Sequence, residues 1–172
     1  MRIYLAGPDV FFPDAQARAE AKKALVRAAG HEPLFPLDVV LDVDFENDPK
    51  PLLAEAIFAS NRALIEAADV VLANLTPFRA PSADAGTIWE AGFAFGLGKL
   101  VWGYSNVATD FAVRARALVA AKPDGLDVED FELPSDNLMI HFALAGFFAH
   151  AAPEDALWTD LTSFEAALGA IV

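Results

Sequence analysis

Short apolar runs alternate with longer segments of helical periodicity along this chain, and the alternation predicts an α/β fold. The predicted strands are residues 2–5, 32–35, 70–75 and 100–104. The predicted helices are residues 15–29, 51–67, 86–97, about 111–121, about 138–149 and about 159–171. Strands and helices in this order form parallel sheets through right-handed crossovers. We therefore expect a flavodoxin-like or Rossmann-like parallel sheet of about five strands with helices on both faces, although the fifth strand has no clear position.

Glycines mark the ends of several predicted elements, and one connection is unusually long. Gly7 follows the first strand, while Gly30 and Gly98 follow the first and third helices, where a glycine stops a helix at little conformational cost. Residues 36–51 lack a clear period, and a loop of this length more often lines a site than merely connects two elements. No repeat, low-complexity tract or linker divides the chain, so we expect residues 1–172 to form a single domain.

Composition and charge narrow the classes of function. The 172 residues are 55% hydrophobic and carry 25 acidic against 12 basic side chains, a formal net charge of -13. Binding to a nucleic acid polymer or to an anionic membrane surface needs clustered cations and is not expected. The chain has no cysteine, which excludes disulfides and thiol catalysis. The first residues predict a strand rather than a signal peptide, and no apolar run is long enough for a transmembrane helix, so we expect a cytoplasmic protein.

Two carboxylates occur where a ligand site is expected. Ligands of open parallel sheets bind at the carboxyl ends of the strands, which directs attention to residues 6–12, 37–48 and 75–90. Asp84 precedes a predicted helix, and Glu90 lies on the apolar face of that helix. The helix neighbours of Glu90 on this face are Gly86, Phe93, Ala94 and Leu97.

Two interpretations of these carboxylates remain open. Asp84 can be the N-cap of the helix, and Glu90 can satisfy backbone N–H groups or the helix dipole. Alternatively, the two are a catalytic pair. Six residues is not a same-face spacing on a helix, so they converge only if Asp84 lies in the loop.

Other candidate residues are individually weaker. Tyr4 in the first strand can direct its hydroxyl toward the mouth of the sheet and orient a carboxylate, or it can simply pack in the core. Phe11, Phe12 and Phe78 lie in loops and can stack on a planar ligand. The histidines have no metal-binding spacing, and the acidic residues of loop 38–48 are more typical of a solvated loop than of a cation site. We expect no required cofactor and no metal.

Several of these segments, taken in order, resemble the nucleoside 2-deoxyribosyltransferase family. The resemblance covers residues 3 to about 139. Its components are Ile3-Tyr4-Leu5-Ala6-Gly7-Pro8 with Phe11, Pro36-Leu37-Asp38, Asn61 eight residues ahead of Asp69-Val70-Val71, Asp84-x-Gly86-Thr87-x-x-Glu90-x-Gly92, and Asn137-Leu138-Met139.

The resemblance implies a role for each matching residue. Glu90 would be the nucleophile, Asp84 would protonate the departing base, and Tyr4 would orient the glutamate. The implied substrate-binding residues are Phe11, Asp38, Asn61, Gly86, Asn137 and Met139. The last two would come from a neighbouring subunit, so a homo-oligomer, at least a dimer, is implied. Asn61 departs from the family pattern, because some members have aspartate there.

The implied activity is transfer of a 2-deoxyribosyl group between nucleobases, with a 2'-deoxynucleoside and a free base as partners. A covalent glycosyl-glutamate would form and then react with the second base, a double displacement. One alternative is hydrolysis of nucleosides, or of nucleoside monophosphates, on the same fold. Monophosphate hydrolases, however, have serine at the position of Asp84 and a cationic first loop. Another alternative is a non-enzymatic flavodoxin-like signalling module, but Asn74 stands where a phosphoacceptor aspartate would be needed.

Overall fold

A computed structural model describes residues 1–120, 125, 127–128 and 131–171. Within these residues the chain forms one parallel sheet with helices on both faces, which confirms the predicted fold class. The strands are β1 (Arg2–Ala6), β2 (Glu32–Leu34), β3 (Val70–Asn74), β4 (Leu100–Ser105) and β5 (Gly146–Ala149). The helices are α1 (Ala15–Ala28), α2 (Lys50–Ala67), α3 (Ala85–Gly96), α4 (Phe111–Val119), α5 (Leu138–His141) and α6 (Thr162–Gly169).

The sheet order β2-β1-β3-β4-β5 places the switch point between β1 and β3. Alternate residues of β1 face opposite layers: Ile3 and Leu5 pack toward α1 and α6, whereas Tyr4 and Ala6 pack toward α2 and α3. All five residues of β3 are buried, as expected for a central strand covered on both faces. The side of the sheet that carries Tyr4 is therefore the side on which α3 lies.

The prediction of a helix over residues 138–149 is wrong. Only Leu138–His141 is helical, and Gly146–Ala149 forms the missing fifth strand, parallel to β4. Phe147 and Phe148 pack on opposite faces of the sheet. A Cβ on Gly146 would overlap the Trp102 ring, so glycine allows β5 to pair closely with β4. A short apolar run does not distinguish a strand from a buried helix, and here pairing at the sheet edge decides the outcome.

Helix α1 anchors two loops at the carboxyl edge of the sheet. Lys22 and Lys23 lie in the C-terminal half of α1, where the helix dipole favours cations. Both side chains are nevertheless buried, and both form ion pairs. Lys22 Nζ lies 2.6 Å from Asp9, with only 6% and 5% of the two side chains exposed. Lys23 Nζ lies 2.5 Å from Asp38. These pairs tie the turns at Pro8–Phe11 and Pro36–Asp38 to the same helical turn of α1.

The remaining differences concern element ends. Helix α4 ends at Val119, and α6 spans Thr162–Gly169 rather than the longer segment expected. The last residue of the helix predicted over about 111–121 lies outside the described residues. None of the helices in the described ranges has the length and apolar character needed to cross a membrane.

Candidate active site

A cavity of about 560 Å³ opens at the carboxyl edge of the sheet, beside the switch point. Its lining comes from the turns after β1 and β2, from α2, and from the start of α3. Five of the nine candidate site residues line it directly: Phe11, Asn61, Asp84, Gly86 and Glu90. Both candidate carboxylates therefore face the same cavity, because Asp84 lies in the loop just before α3 and Glu90 in the second turn of that helix.

Glu90 is held by a hydrogen bond from β1. The fully buried Tyr4 donates its hydroxyl to Glu90 Oε1 at 2.7 Å. The side-chain amide of Asn61 on α2 approaches the same oxygen at 3.5 Å. Both donors contact Oε1. Within the described part of the chain, Oε2 accepts no hydrogen bond. Tyr4 thus has the orienting geometry, and the second oxygen of Glu90 has no hydrogen-bond partner among the residues that the structure describes.

Burial raises the pKa of Glu90 to about 7. The main cause is desolvation, because a charged carboxylate is disfavoured away from water. The negative charge of Asp84 raises the pKa further, whereas the hydrogen bonds from Tyr4 and Asn61 lower it. The pKa of Tyr4 is itself raised, first by burial and then by the neighbouring Glu90 charge. Glu90 consequently exchanges a proton near neutral pH, while Tyr4 remains a hydrogen-bond donor.

Asp84 is both an N-cap and a cavity residue. Its Oδ2 accepts from the backbone N–H of Thr87 at 3.1 Å, so the structural interpretation is confirmed. This does not remove Asp84 from the cavity, because its other oxygen makes no hydrogen bond to any described residue. A Cβ on Gly86 would lie 3.0 Å from Asp84 Oδ2. Glycine at position 86 therefore leaves the carboxylate room to keep this position.

Four candidate residues do not line the cavity: Tyr4, which reaches it only through Glu90, and three others. Asp38 is paired with Lys23, so it supports the turn that carries the lining residues Leu37 and Val39. Asn137 caps α5, accepting from the backbone N–H of Met139 at 2.9 Å. The Met139 side chain is 74% exposed. Neither Asn137 nor Met139 is among the described residues that line the cavity of their own chain.

Most of the lining that sequence analysis missed is apolar. Val39, Leu41 and Phe45 face the cavity, so the long loop forms part of its wall. The other lining residues to which the sequence assigned no role are Gly7, Val10, Pro36, Leu37, Ile57, Ser60 and Thr87. In the same loop, Asp44 accepts hydrogen bonds from the backbone of Glu46 and Asn47. No group of three potential metal ligands occurs among the described residues.

Two carboxyl groups that face one largely apolar cavity are an arrangement typical of enzymes that act on glycosidic bonds. Comparisons with known proteins specify the class further. The sequence model of the family "Nucleoside 2-deoxyribosyltransferase" matches residues 3–139. The chain therefore belongs to the nucleoside 2-deoxyribosyltransferase family and is a nucleoside-modifying enzyme. A search of curated proteins finds no significant match.

Solved structures agree with this assignment. A 2-deoxyribosyltransferase from Leishmania mexicana is 30% identical, with 99% of each chain covered and a TM-score of 0.67. A 2-deoxyribosyltransferase from Bacillus psychrosaccharolyticus is 21% identical over 96% of each chain, with a TM-score of 0.56. A CMP N-glycosidase from Clostridium botulinum shares the fold at 13% identity, with 98% of each chain covered and a TM-score of 0.51.

Proposed function

We propose that this enzyme transfers the 2-deoxyribosyl group of a 2'-deoxynucleoside to a second nucleobase. Ionised Glu90 attacks C1', the bond from C1' to the base nitrogen breaks, and the departing base takes a proton from Asp84. A second base then attacks C1', returns a proton to Asp84, and displaces Glu90. Two inversions at C1' give net retention. The hydrogen bond from Tyr4 to Glu90 beside Asp84 is the observation that carries this proposal.

Two properties of the site support its chemistry. Asn61, where some family members have aspartate, adds a neutral donor to Glu90 rather than a third negative charge. A pKa near 7 lets Glu90 ionise at neutral pH, and Tyr4 stabilises that ionised form.

The cavity favours an unphosphorylated substrate. Its ionisable lining residues, within the described ranges, are Asp84 and Glu90, and no lysine or arginine lines it. A nucleoside 5'-monophosphate would bring more negative charge without a cation to neutralise it. Hydrolysis of nucleosides is the second candidate function, because water can replace the acceptor base at the same intermediate.

The test of this proposal is exchange between a deoxynucleoside and a free purine, followed by chromatography. We expect the new deoxynucleoside to exceed free deoxyribose at millimolar acceptor, and the matching ribonucleoside to react much more slowly. Apolar lining around C1' favours a stacked base over water as the attacking group. Free deoxyribose as the main product at saturating acceptor would make the protein a hydrolase, and no product with any nucleoside would refute both activities.

We also propose that the site is completed by a second copy of the chain. The outer faces of α2 and α3 carry a cluster of aromatic rings: Phe58 lies 5.2 Å from Trp89, and Trp89 lies 5.1 Å from Phe93. Phe58 and Trp89 are 49% and 43% exposed. Contiguous exposed aromatic surface of this kind marks protein interfaces, and this one adjoins the helix that carries Glu90. It supports a homo-oligomer in which Asn137 and Met139 reach a neighbouring cavity.

Mixing inactive variants tests the shared site. We expect Glu90→Ala and Asn137→Ala, combined under conditions of subunit exchange, to recover about a quarter of wild-type activity in a twofold dimer, since half the dimers are mixed and each then has one intact site. Glu90→Ala mixed with Asp84→Ala is the control: both residues lie in one chain's cavity, so no intact site forms. No recovery in the first mixture, with exchange demonstrated by labelled subunits, would contradict the shared site.

A further inference from the structure

Four aromatic rings form a continuous wall from the C-terminal part of the chain to the cavity. We call Phe11, Phe12, Phe78 and Trp158 the aromatic wall. Phe11 stacks on Phe78 with centroids 5.5 Å apart and planes 15° apart. Trp158 meets Phe78 edge-on at 5.7 Å and Phe12 at 5.3 Å. Phe11 lines the cavity, and Phe78 lies between Phe11 and Trp158 in contact with both rings.

Trp158 is fixed at the far end of this wall. Arg18 of α1 donates a hydrogen bond to the Trp158 carbonyl at 2.6 Å, and its guanidinium lies 4.3 Å from the centre of the Phe12 ring. The buried amide of Asn106 donates to the carbonyls of Leu157 and Asp160, both at 2.9 Å. Three backbone carbonyls around Trp158 therefore accept side-chain hydrogen bonds, and these bonds fix the backbone that carries the indole.

Phe11, by contrast, has little support of its own. Its side chain is 53% exposed, and Phe78 is the only ring that stacks on it among the described residues. On the outside, the Arg79 guanidinium lies 4.9 Å from the Phe11 ring and 4.5 Å from Phe78. Arg79 has φ 59, the left-handed conformation that is uncommon for a side chain of this size. The position of Phe11 thus depends on Phe78, which is clamped between Trp158 and Arg79.

We propose that Trp158 is a positioning residue that sets how the glycosyl-enzyme divides between an acceptor base and water. This inference rests on the proposed function. Trp158 holds Phe78, Phe78 holds Phe11, and Phe11 closes the apolar side of the cavity where a planar acceptor would stack. A loosened Phe11 weakens binding of the acceptor, which needs that ring, and admits water, which does not. Trp158 would touch neither substrate nor reacting atoms.

The test is the ratio of free deoxyribose to new deoxynucleoside formed by Trp158→Leu at a fixed purine concentration. Both products arise from one intermediate in the same tube, so a smaller folded fraction lowers both and leaves the ratio unchanged. We expect the ratio to rise about 2- to 10-fold, the effect of losing one well-packed aromatic contact. Trp158→Phe, which keeps a ring, should return the ratio to within about twofold of wild type.

Trp102→Leu is the matched control. Trp102 is also half-buried and stacks on an aromatic partner, Phe148 at 6.2 Å, but it lies in β4 and does not line the cavity. We expect it to lower stability and leave the product ratio unchanged. If Trp158→Leu is insoluble, the product ratio is measured for Arg18→Met instead. This variant removes the hydrogen bond to the Trp158 carbonyl while keeping an aliphatic side chain.

The outcomes separate this inference from the proposed function. A wild-type enzyme that makes no new deoxynucleoside refutes the proposed function, and this inference with it. If the wild-type enzyme transfers normally but the product ratio is unchanged in Trp158→Leu, only the role of Trp158 is refuted. The same holds for Arg18→Met where that variant replaces Trp158→Leu. An equal change in Trp102→Leu would also refute it, because the effect would then follow from general destabilisation.

Discussion

Replacement of Glu90 by glutamine is expected to reduce base exchange by about 10⁴-fold or more, because the variant lacks the nucleophile. A slow substrate, a 2-fluoro-2-deoxy-arabinosyl nucleoside, should add one sugar per wild-type chain by intact mass and none to the variant. Glutamine keeps the carbonyl oxygen that accepts from Tyr4, so the local fold should survive. Labelling at another residue, or exchange that persists in Glu90→Gln, would overturn the assignment.

The same variant should be more stable than the wild type at alkaline pH. Folding raises the pKa of Glu90 from 4.5 to about 7, so the native state binds this proton more tightly than the unfolded state does. The contribution of Glu90 to stability is therefore complete below about pH 4.5 and is lost as pH rises through 7. The loss is up to about 3 kcal/mol, at about 1.4 kcal/mol for each pKa unit.

Glutamine does not titrate, so Glu90→Gln escapes this loss. We expect its thermal midpoint to exceed that of the wild type at pH 8 and the difference to shrink toward pH 5. Glu55→Gln, at an exposed glutamate of α2, is the control and should show no such trend. A difference independent of pH would mean that Glu90 is not the group that titrates.

Asp84→Asn is expected to slow transfer from an ordinary nucleoside by about 10² to 10⁴, the usual contribution of a general acid. Asparagine is as good an N-cap as aspartate, so α3 should keep its start and the variant should fold. A nucleoside with an activated leaving base needs less protonation and should recover much of the lost rate. Chromatographic initial rates for the two donors measure the difference.

Asp110→Asn serves as the control, because Asp110 precedes α4 and does not line the cavity. It should leave both rates unchanged. If Asp84→Asn lowers the transfer rate equally for good and poor leaving groups, Asp84 maintains the shape of the site and does not donate the proton to the departing base. The two variants together distinguish a proton donor from a helix cap, a distinction that the hydrogen bond to Thr87 alone does not make.

The sequence predicted those parts of the fold and site that follow a regular period. The continuous apolar run of β3 and the glutamate on the apolar face of α3 are local patterns, so the sheet and the position of Glu90 could be predicted from them. The fifth strand could not, because Gly146–Ala149 becomes a strand only by pairing with β4. That pairing joins residues more than forty positions apart in the chain.

The loop at the cavity shows a second limit. Its apolar residues face inward because the turn at Pro36–Asp38 is tied to α1, and an irregular loop has no period from which that direction can be read. Asp38 illustrates the difficulty: the resemblance implies a substrate contact, yet a buried lysine takes up its carboxylate. Ion pairs between distant segments thus determine which acidic side chains remain available to a ligand.

The two ion pairs of α1 hold the turns beside the cavity but not the loop segment that follows the second turn. Lys22 and Lys23 fix the bases of the two turns, whereas residues 39–45 extend beyond these anchors. Substitutions in that segment would change the shape of the cavity without removing a partner of either ion pair. If the proposed transfer is correct, replacing residues 39–45 while keeping Lys23 and Asp38 is expected to change which nucleobase is accepted and to leave the positions of Glu90 and Asp84 unchanged.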